Sequence, residues 1–131
     1  MPRRLVLALC VLGFAVFAPG CQKVNIDKTI PLSAGSVEGI TIDAPRGEQK
    51  IRVSVTSAEP VDVDVVLGTN KAVAMDNLAS GKRPAADKVV ASKLKVKTDT
   101  ISATIPAGKE YAIVLSGAAK TTEVKLSVKS E

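Results

Sequence analysis

Lys50 to Leu67, KIRVSVTSAEPVDVDVVL, carries the clearest strand pattern in the chain. Ile51, Val53 and Val55 alternate with Arg52, Ser54 and Thr56, and the alternation resumes at Val61, Val63 and Val65 with Asp62 and Asp64 between them. A period of two places one set on each side of a pleated strand, so each run is a strand with an aliphatic face and a polar face. Ser57 to Pro60 has turn composition, which predicts that the two runs pair as a hairpin. A sheet solvated on one side and aliphatic on the other must pack against a second layer.

Working outward, the same pattern recurs at intervals set by Gly and Pro. Upstream, Val24 and Ile26 alternate with Lys23 and Asn25, and Pro31 is expected to end that first element. Ile40 and Ile42 share a face, Val37 is out of phase with them, and Gly39 at the phase break predicts a bulge or sharp twist. Pro45-Arg46-Gly47-Glu48 reads as a turn. Downstream, Leu94 and Val96 face away from Lys93, Lys95 and Lys97, and Asp99 reads as a turn before Ile101, Ala103 and Ile105. Tyr111, Ile113 and Leu115 alternate with residues that are themselves apolar, the mark of a strand covered on both sides. Val124, Leu126 and Val128 form the last apolar set. The expectation is an all-β antiparallel β-sandwich of seven or eight strands.

Residues 68–88 break the rhythm. Val73, Met75 and Leu78 fit a helix poorly, and so long a connection is either functional or a crossover. The crossover reading has those three side chains plugging the end of the core; the functional one makes 68–88 a recognition loop.

The front of the chain, MPRRLVLALCVLGFAVFAPGC (1–21), speaks about location. Arg3 and Arg4 precede an uncharged run from Leu5 to Ala18, shorter than the roughly 20 residues a span requires. Positive residues, an apolar stretch and small residues at the exit mark an export signal. Residues 1–20 are read as signal peptide, 21–29 as a tether or first edge strand, and 30–131 as the sandwich. Gly20-Cys21 resembles the lipobox of bacterial lipoproteins, although Ala18 and Pro19 depart from the usual aliphatic and small residues. That resemblance implies cleavage between Gly20 and Cys21 and lipidation of Cys21, leaving acyl chains in a bilayer as the protein's first partner. After processing Cys21 is the single remaining cysteine, and thioether attachment would remove an unpaired thiol from an oxidising compartment.

A second resemblance lies in AEPVDVDVVL (58–67) followed by TISATIPAGKEYAIVLSGAAKTTEVKLSVK (100–129). These segments are similar to the small jelly-roll domains of the bacterial pre-peptidase C-terminal type, with an Ile-Pro-Ala-Gly turn before a Tyr-containing strand. The resemblance implies a jelly-roll-like sandwich and a non-catalytic accessory role in binding, localisation or secretion.

Composition narrows the chemistry. There is no histidine, which excludes a Ser/His/Asp arrangement, and Ser33, Ser80, Ser92 and Ser116 have nearby lysines only as any Ser- and Lys-rich surface would. No glycine-rich phosphate loop is present. The formal charge is +5, of which Arg3 and Arg4 supply two; the lysines are interspersed with acids, and Tyr111 is the one aromatic after residue 20. This is not a nucleic-acid surface. Two candidate surface sites stand out. Asp62 and Asp64 lie on one strand face and would help hold a divalent cation if a loop closed over them; otherwise they are a solvated face. Lys93, Lys95 and Lys97 would meet lipid headgroups or an acidic glycan; otherwise they protect an outer face. No cofactor is expected. The function read from sequence is a non-catalytic, membrane-anchored envelope accessory with an envelope protein or polysaccharide as partner. Its rival is a secreted ligand-binding or adhesion module using 68–88, with a hydrolase as the remote third.

Overall fold

The computed structural model describes residues 23–131; Gly20 and Cys21, with the cleavage and lipidation expected there, lie outside them. Six strands form one antiparallel sheet: β1 (Asn25–Leu32), β2 (Glu38–Ile42), β3 (Gln49–Leu67), β4 (Ala91–Ile105), β5 (Tyr111–Ser116) and β6 (Thr122–Ser130). The order is β1-β6-β3-β5-β2, with β4 along the other edge of β3.

The expected hairpin between 50–56 and 61–67 is a single strand. Along one edge, β3 pairs with β6 from Ile51 to Ser57 and with β5 from Asp62 to Leu67; along the other it keeps β4 throughout. Between Thr56 and Val61 the four residues 57–60 stand opposite Lys97 alone, a large bulge at which the strand changes sheets. Pro60, which has no N–H to give to a ladder, sits in this interruption. Ser57 is buried there, its hydroxyl accepting the Glu59 N–H at 3.3 Å and lying 3.3 Å from the Thr122 hydroxyl. β4 bends alongside, so Asp99 is mid-strand rather than a turn. One layer is thus β1, β6 and the first part of β3 with the last part of β4. The other is β2, β5 and the remaining parts of β3 and β4. The structure has six strands where seven or eight were expected, because the two bent strands each serve both layers.

The aliphatic faces meet between the layers. Ile51, Val53, Val55, Val61, Val63, Val65, Ile113, Leu115 and Val128 are essentially inaccessible and belong to one cluster. Each such side chain contributes about 1.5–3 kcal/mol by leaving water. β1 continues through Pro31 to the fully buried Leu32, which corrects the expected break; an edge strand tolerates a residue with no N–H.

The segment after β3 forms a short helix, α1 (Lys71–Ala79). It lies on the outside of the second layer, where Ala74, half-buried Met75 and Leu78 join Val66, Ala112, Val114 and Val37 in a separate apolar cluster. It does not plug the end of the core, and Val73 points outward at 48% exposure. Gly39 is not a bulge, since β2 runs in unbroken register with β5. A Cβ there would lie 3.4 Å from Lys71 Cε and 3.5 Å from Met75 Sδ, so the glycine admits the helix's side chains. With α1 on one face and the core on the other, all six residues of β5 are buried, as its apolar pattern predicted.

Candidate functional site

Among the described residues, none covers the outer face of the first layer. Register places its residues in rows across four strands: Asn25, Lys129, Arg52 and Ser102; then Asp27, Ser127, Ser54 and Thr100; then Thr29, Lys125, Thr56 and Thr98. Neighbouring rows are separated by roughly 6–7 Å along the strands, and neighbours within a row by about 4.8 Å. Hydroxyls dominate this lattice. Ser54 and Thr100 hydroxyls lie 3.3 Å apart, and a depression of about 300 Å³ opens over Asp27, Thr29, Ser54, Thr56, Lys125 and Ser127. Hydroxyl, ammonium and guanidinium groups are hydrogen-bond donors, so the face suits an oxygen-rich ligand. Arg52 has one acidic neighbour, Glu131, at 3.6 Å. The sequence showed these residues only as the polar half of each alternation; what groups them is long-range pairing.

The two aspartates expected as a cation site share a face but are occupied separately. Asp64 is wholly buried. Arg83 grips both its oxygens, Nη2 donating to Oδ1 at 2.5 Å and Nη1 to Oδ2 at 3.2 Å, while the Ser92 hydroxyl donates to Oδ1 at 2.8 Å. Asp62 Oδ1 accepts the Lys95 N–H at 3.0 Å, and its carboxylate rests against Gly117, where a Cβ would come within 2.6 Å of Oδ2. Arg83 thus shares the charge of Asp64 while a backbone N–H takes Asp62, so the two carboxylates expected to act together have different partners. Among the described residues no cluster of three or more His, Cys, Asp or Glu side chains gathers.

The lysine stripe is also rearranged. Two residues of β4, Leu94 and Lys95, oppose Asp62 alone, and Lys95 adopts a left-handed φ of 58°. This bulge puts Lys93, Lys95 and Lys97 out of the single phase the sequence predicted and turns Leu94 to solvent. Lys93 lies opposite Val63, and Asp99 lies opposite Val55, so both sit on the inward side of the edge strand. They form an ion pair at 2.5 Å. The hydrogen bond from Lys93, reinforced by the Thr100 N–H, holds the Asp99 carboxyl below its usual range. Lys95 and Lys97 remain exposed.

Residues 68–90 act as a cover. Besides α1's contacts, Lys71 Nζ donates to Thr41 Oγ1 at 2.6 Å, and Arg83 fastens the returning chain to Asp64. Tyr111 is fully buried in the core, where burial pushes its phenol up to about 12; it offers no surface platform.

No family model matches the chain, and no curated protein sequence matches it. Solved structures do. The pre-peptidase C-terminal domain of collagenase from Bacillus anthracis superposes with a TM-score of 0.57 at 14% identity, covering 80% of this chain and 89% of that one. PliG, a periplasmic inhibitor of g-type lysozyme from Aeromonas hydrophila, gives 0.53 at 14% identity over 88% and 91% of the chains. The Yersinia pseudotuberculosis-derived mitogen gives 0.55 at 6% identity over 84% and 88%. At such identities the likeness establishes the fold: an antiparallel β-sandwich of the kind found in pre-peptidase C-terminal domains.

Proposed function

We propose that this chain is a non-catalytic accessory module of a bacterial cell envelope, anchored by lipid on Cys21 on the extracytoplasmic side, and that its uncovered sheet face binds an envelope polysaccharide. The observation that carries the binding role is the asymmetry of the two layers. One outer face is sealed by α1 and Arg83; the other is left as an open lattice of hydroxyls with Arg52, Lys125 and Lys129 among them. Sugar hydroxyl and carboxylate oxygens are matched acceptors for such a surface. Lys95 and Lys97, at the corner beside Thr98, extend it toward acidic groups.

The anchoring rests on the Met1–Cys21 pattern and is compatible with how the chain begins its fold. Val24 N–H donates to Ser130 Oγ at 2.7 Å and Ser130 N–H to the Val24 carbonyl at 3.0 Å. The body is therefore secured three residues after Cys21, a reach of about 10 Å. Among the described residues no helix is long and apolar enough to cross a membrane. Two or more acyl chains would hold the protein stably.

Membrane fractions from cells expressing the natural chain and Cys21→Ser test the anchor: the natural chain is expected with the membranes and the variant in the soluble extracytoplasmic fraction. Equal membrane retention of both contradicts it. Co-sedimentation with purified envelope polysaccharide tests the face. The Ser54→Asp/Ser127→Asp variant is expected to lose binding while keeping its fold, and undiminished binding would move the site elsewhere.

A further inference from the structure

β4 is an edge strand along its whole length, and its two halves are finished differently. From Lys93 to Asp99 it carries the devices that discourage edge pairing: a bulge at Leu94–Lys95, exposed lysines and the inward-side Lys93–Asp99 pair. From Thr100 to Ile105, TISATI, it has no charge, no proline and unbroken register with β3. The backbone direction there follows from one hydrogen bond. Glu131 N–H donates to the Lys50 carbonyl at 2.9 Å, so Lys50 faces away from β4 and Ile51, Val53 and Val55 face toward it. By alternation, Ile101 and Ala103 bond to β3, while Thr100, Ser102 and Thr104 turn their N–H and C=O groups to the open edge. Asp99 already takes the Thr100 N–H at 2.7 Å.

We infer that this edge pairs with the same edge of a second copy, antiparallel, about a two-fold axis at Ser102. The segment is complementary to itself under that operation. Ser102 meets the second copy's Ser102, Thr100 meets Thr104, and Ile101 meets Ala103, so polar and apolar faces continue across the junction and no like charges oppose one another. The two-fold brings the second copy's Ile101 opposite Ala103, and a depression of about 510 Å³, lined by Lys50, Val90, Ser102, Ala103, Thr104 and Glu131, lies beside the open edge there. Ile101 and Ala103 each keep 8% of their surface, whereas β3's Ile51 and Val53 keep none; the residual exposure lies along this edge. Ser102 and Asn25 occupy the same cross-sheet row. The pairing therefore places the two Asn25 residues in one row, roughly 30–35 Å apart by strand spacing, with their β1 strands running in opposite directions. The enlarged sheet makes the hydroxyl face continuous across two copies.

Disulfide trapping tests this even if association is weak. In the whole chain carrying Cys10→Ser and Cys21→Ser, Ser102→Cys is expected to oxidise to a covalent dimer on the order of tenfold or more faster than Ser54→Cys, which lies on the same face but inside the sheet. Thr100→Cys and Thr104→Cys are each expected to cross-link poorly alone and readily when mixed. A Ser102→Cys rate no greater than that of Ser54→Cys overturns self-pairing and leaves a foreign extended segment as the occupant of the edge. Cross-linking at 102 without the mixture preference overturns the two-fold register. Neither result depends on lipidation or on polysaccharide binding.

Discussion

The two layers of the sandwich share β3 and β4 yet finish their outer faces in opposite ways. On the second layer, Val66, Ala112 and Val114 make the outer face apolar, and α1 must lie over it. Asp64, in the same strand, is then buried and needs Arg83. On the first layer, Arg52, Ser54, Thr56, Lys125 and Ser127 occupy the equivalent positions, and among the described residues no element crosses them. The long insertion between β3 and β4 thus packs over one layer, while the face of the other layer carries the binding role proposed above.

Four measurements bear on that contrast. The largest expected effect is Arg83→Ala, which leaves a buried carboxylate without its counter-charge; urea unfolding should show a loss of about 3 kcal/mol, toward the lower end for broken buried pairs because Arg83 is partly exposed. Adding Asp64→Asn should recover part of it. Next, Ala74→Leu forces extra volume under α1, where Ala74 is 1% exposed, and should cost about 1–3 kcal/mol. A cost near zero would mean that the helix is not seated on the sheet. Third, the single tyrosine reports on the core between the layers. Its phenol is held up to about 12 by burial against about 10 when unfolded. Between those values the unfolded chain binds fewer protons, so this group's stabilising contribution is intact below pH 10 and declines as pH rises toward 12. Absorbance titration should show no more than about a tenth of the phenol ionised at pH 11 while the fold persists; ionisation of most of it there, as for a phenol with a pKa of about 10, would place Tyr111 in solvent. The smallest effect belongs to the open face: Ser54→Ala and Thr100→Ala, which remove one exposed hydroxyl contact, should change stability by less than about 0.5 kcal/mol.

Period-two alternation was enough to reveal the β-rich fold, the core side chains and the covered character of β5, because side-chain burial in a strand is set by parity. Partnership was not legible. Ser57–Pro60 has the composition of a turn and behaves as a bend within one strand; only the exchange of β6 for β5, residues distant in sequence, tells the two apart. Gly39 was visible as an anomaly, but its cause, the approach of Lys71 and Met75, lies thirty residues downstream. α1 escaped clear reading because its seat requires little more than Ala74, Met75 and Leu78, too few for a strong helical stripe. The Lys93–Lys97 stripe looked uniform because one inserted residue, invisible to periodicity, shifts its phase. The hydroxyl face proposed for binding was the hardest to see. Ser and Thr on alternate positions are ordinary in any strand, and only register across four strands assembles them into a surface.

Backbone amide NMR with envelope polysaccharide added stepwise tests the central contrast most directly. The account predicts shift changes concentrated at Thr29, Ser54, Thr56, Thr100 and Ser127, with α1 and Arg83 unmoved. Changes concentrated in residues 68–90, with the open face silent, would contradict it.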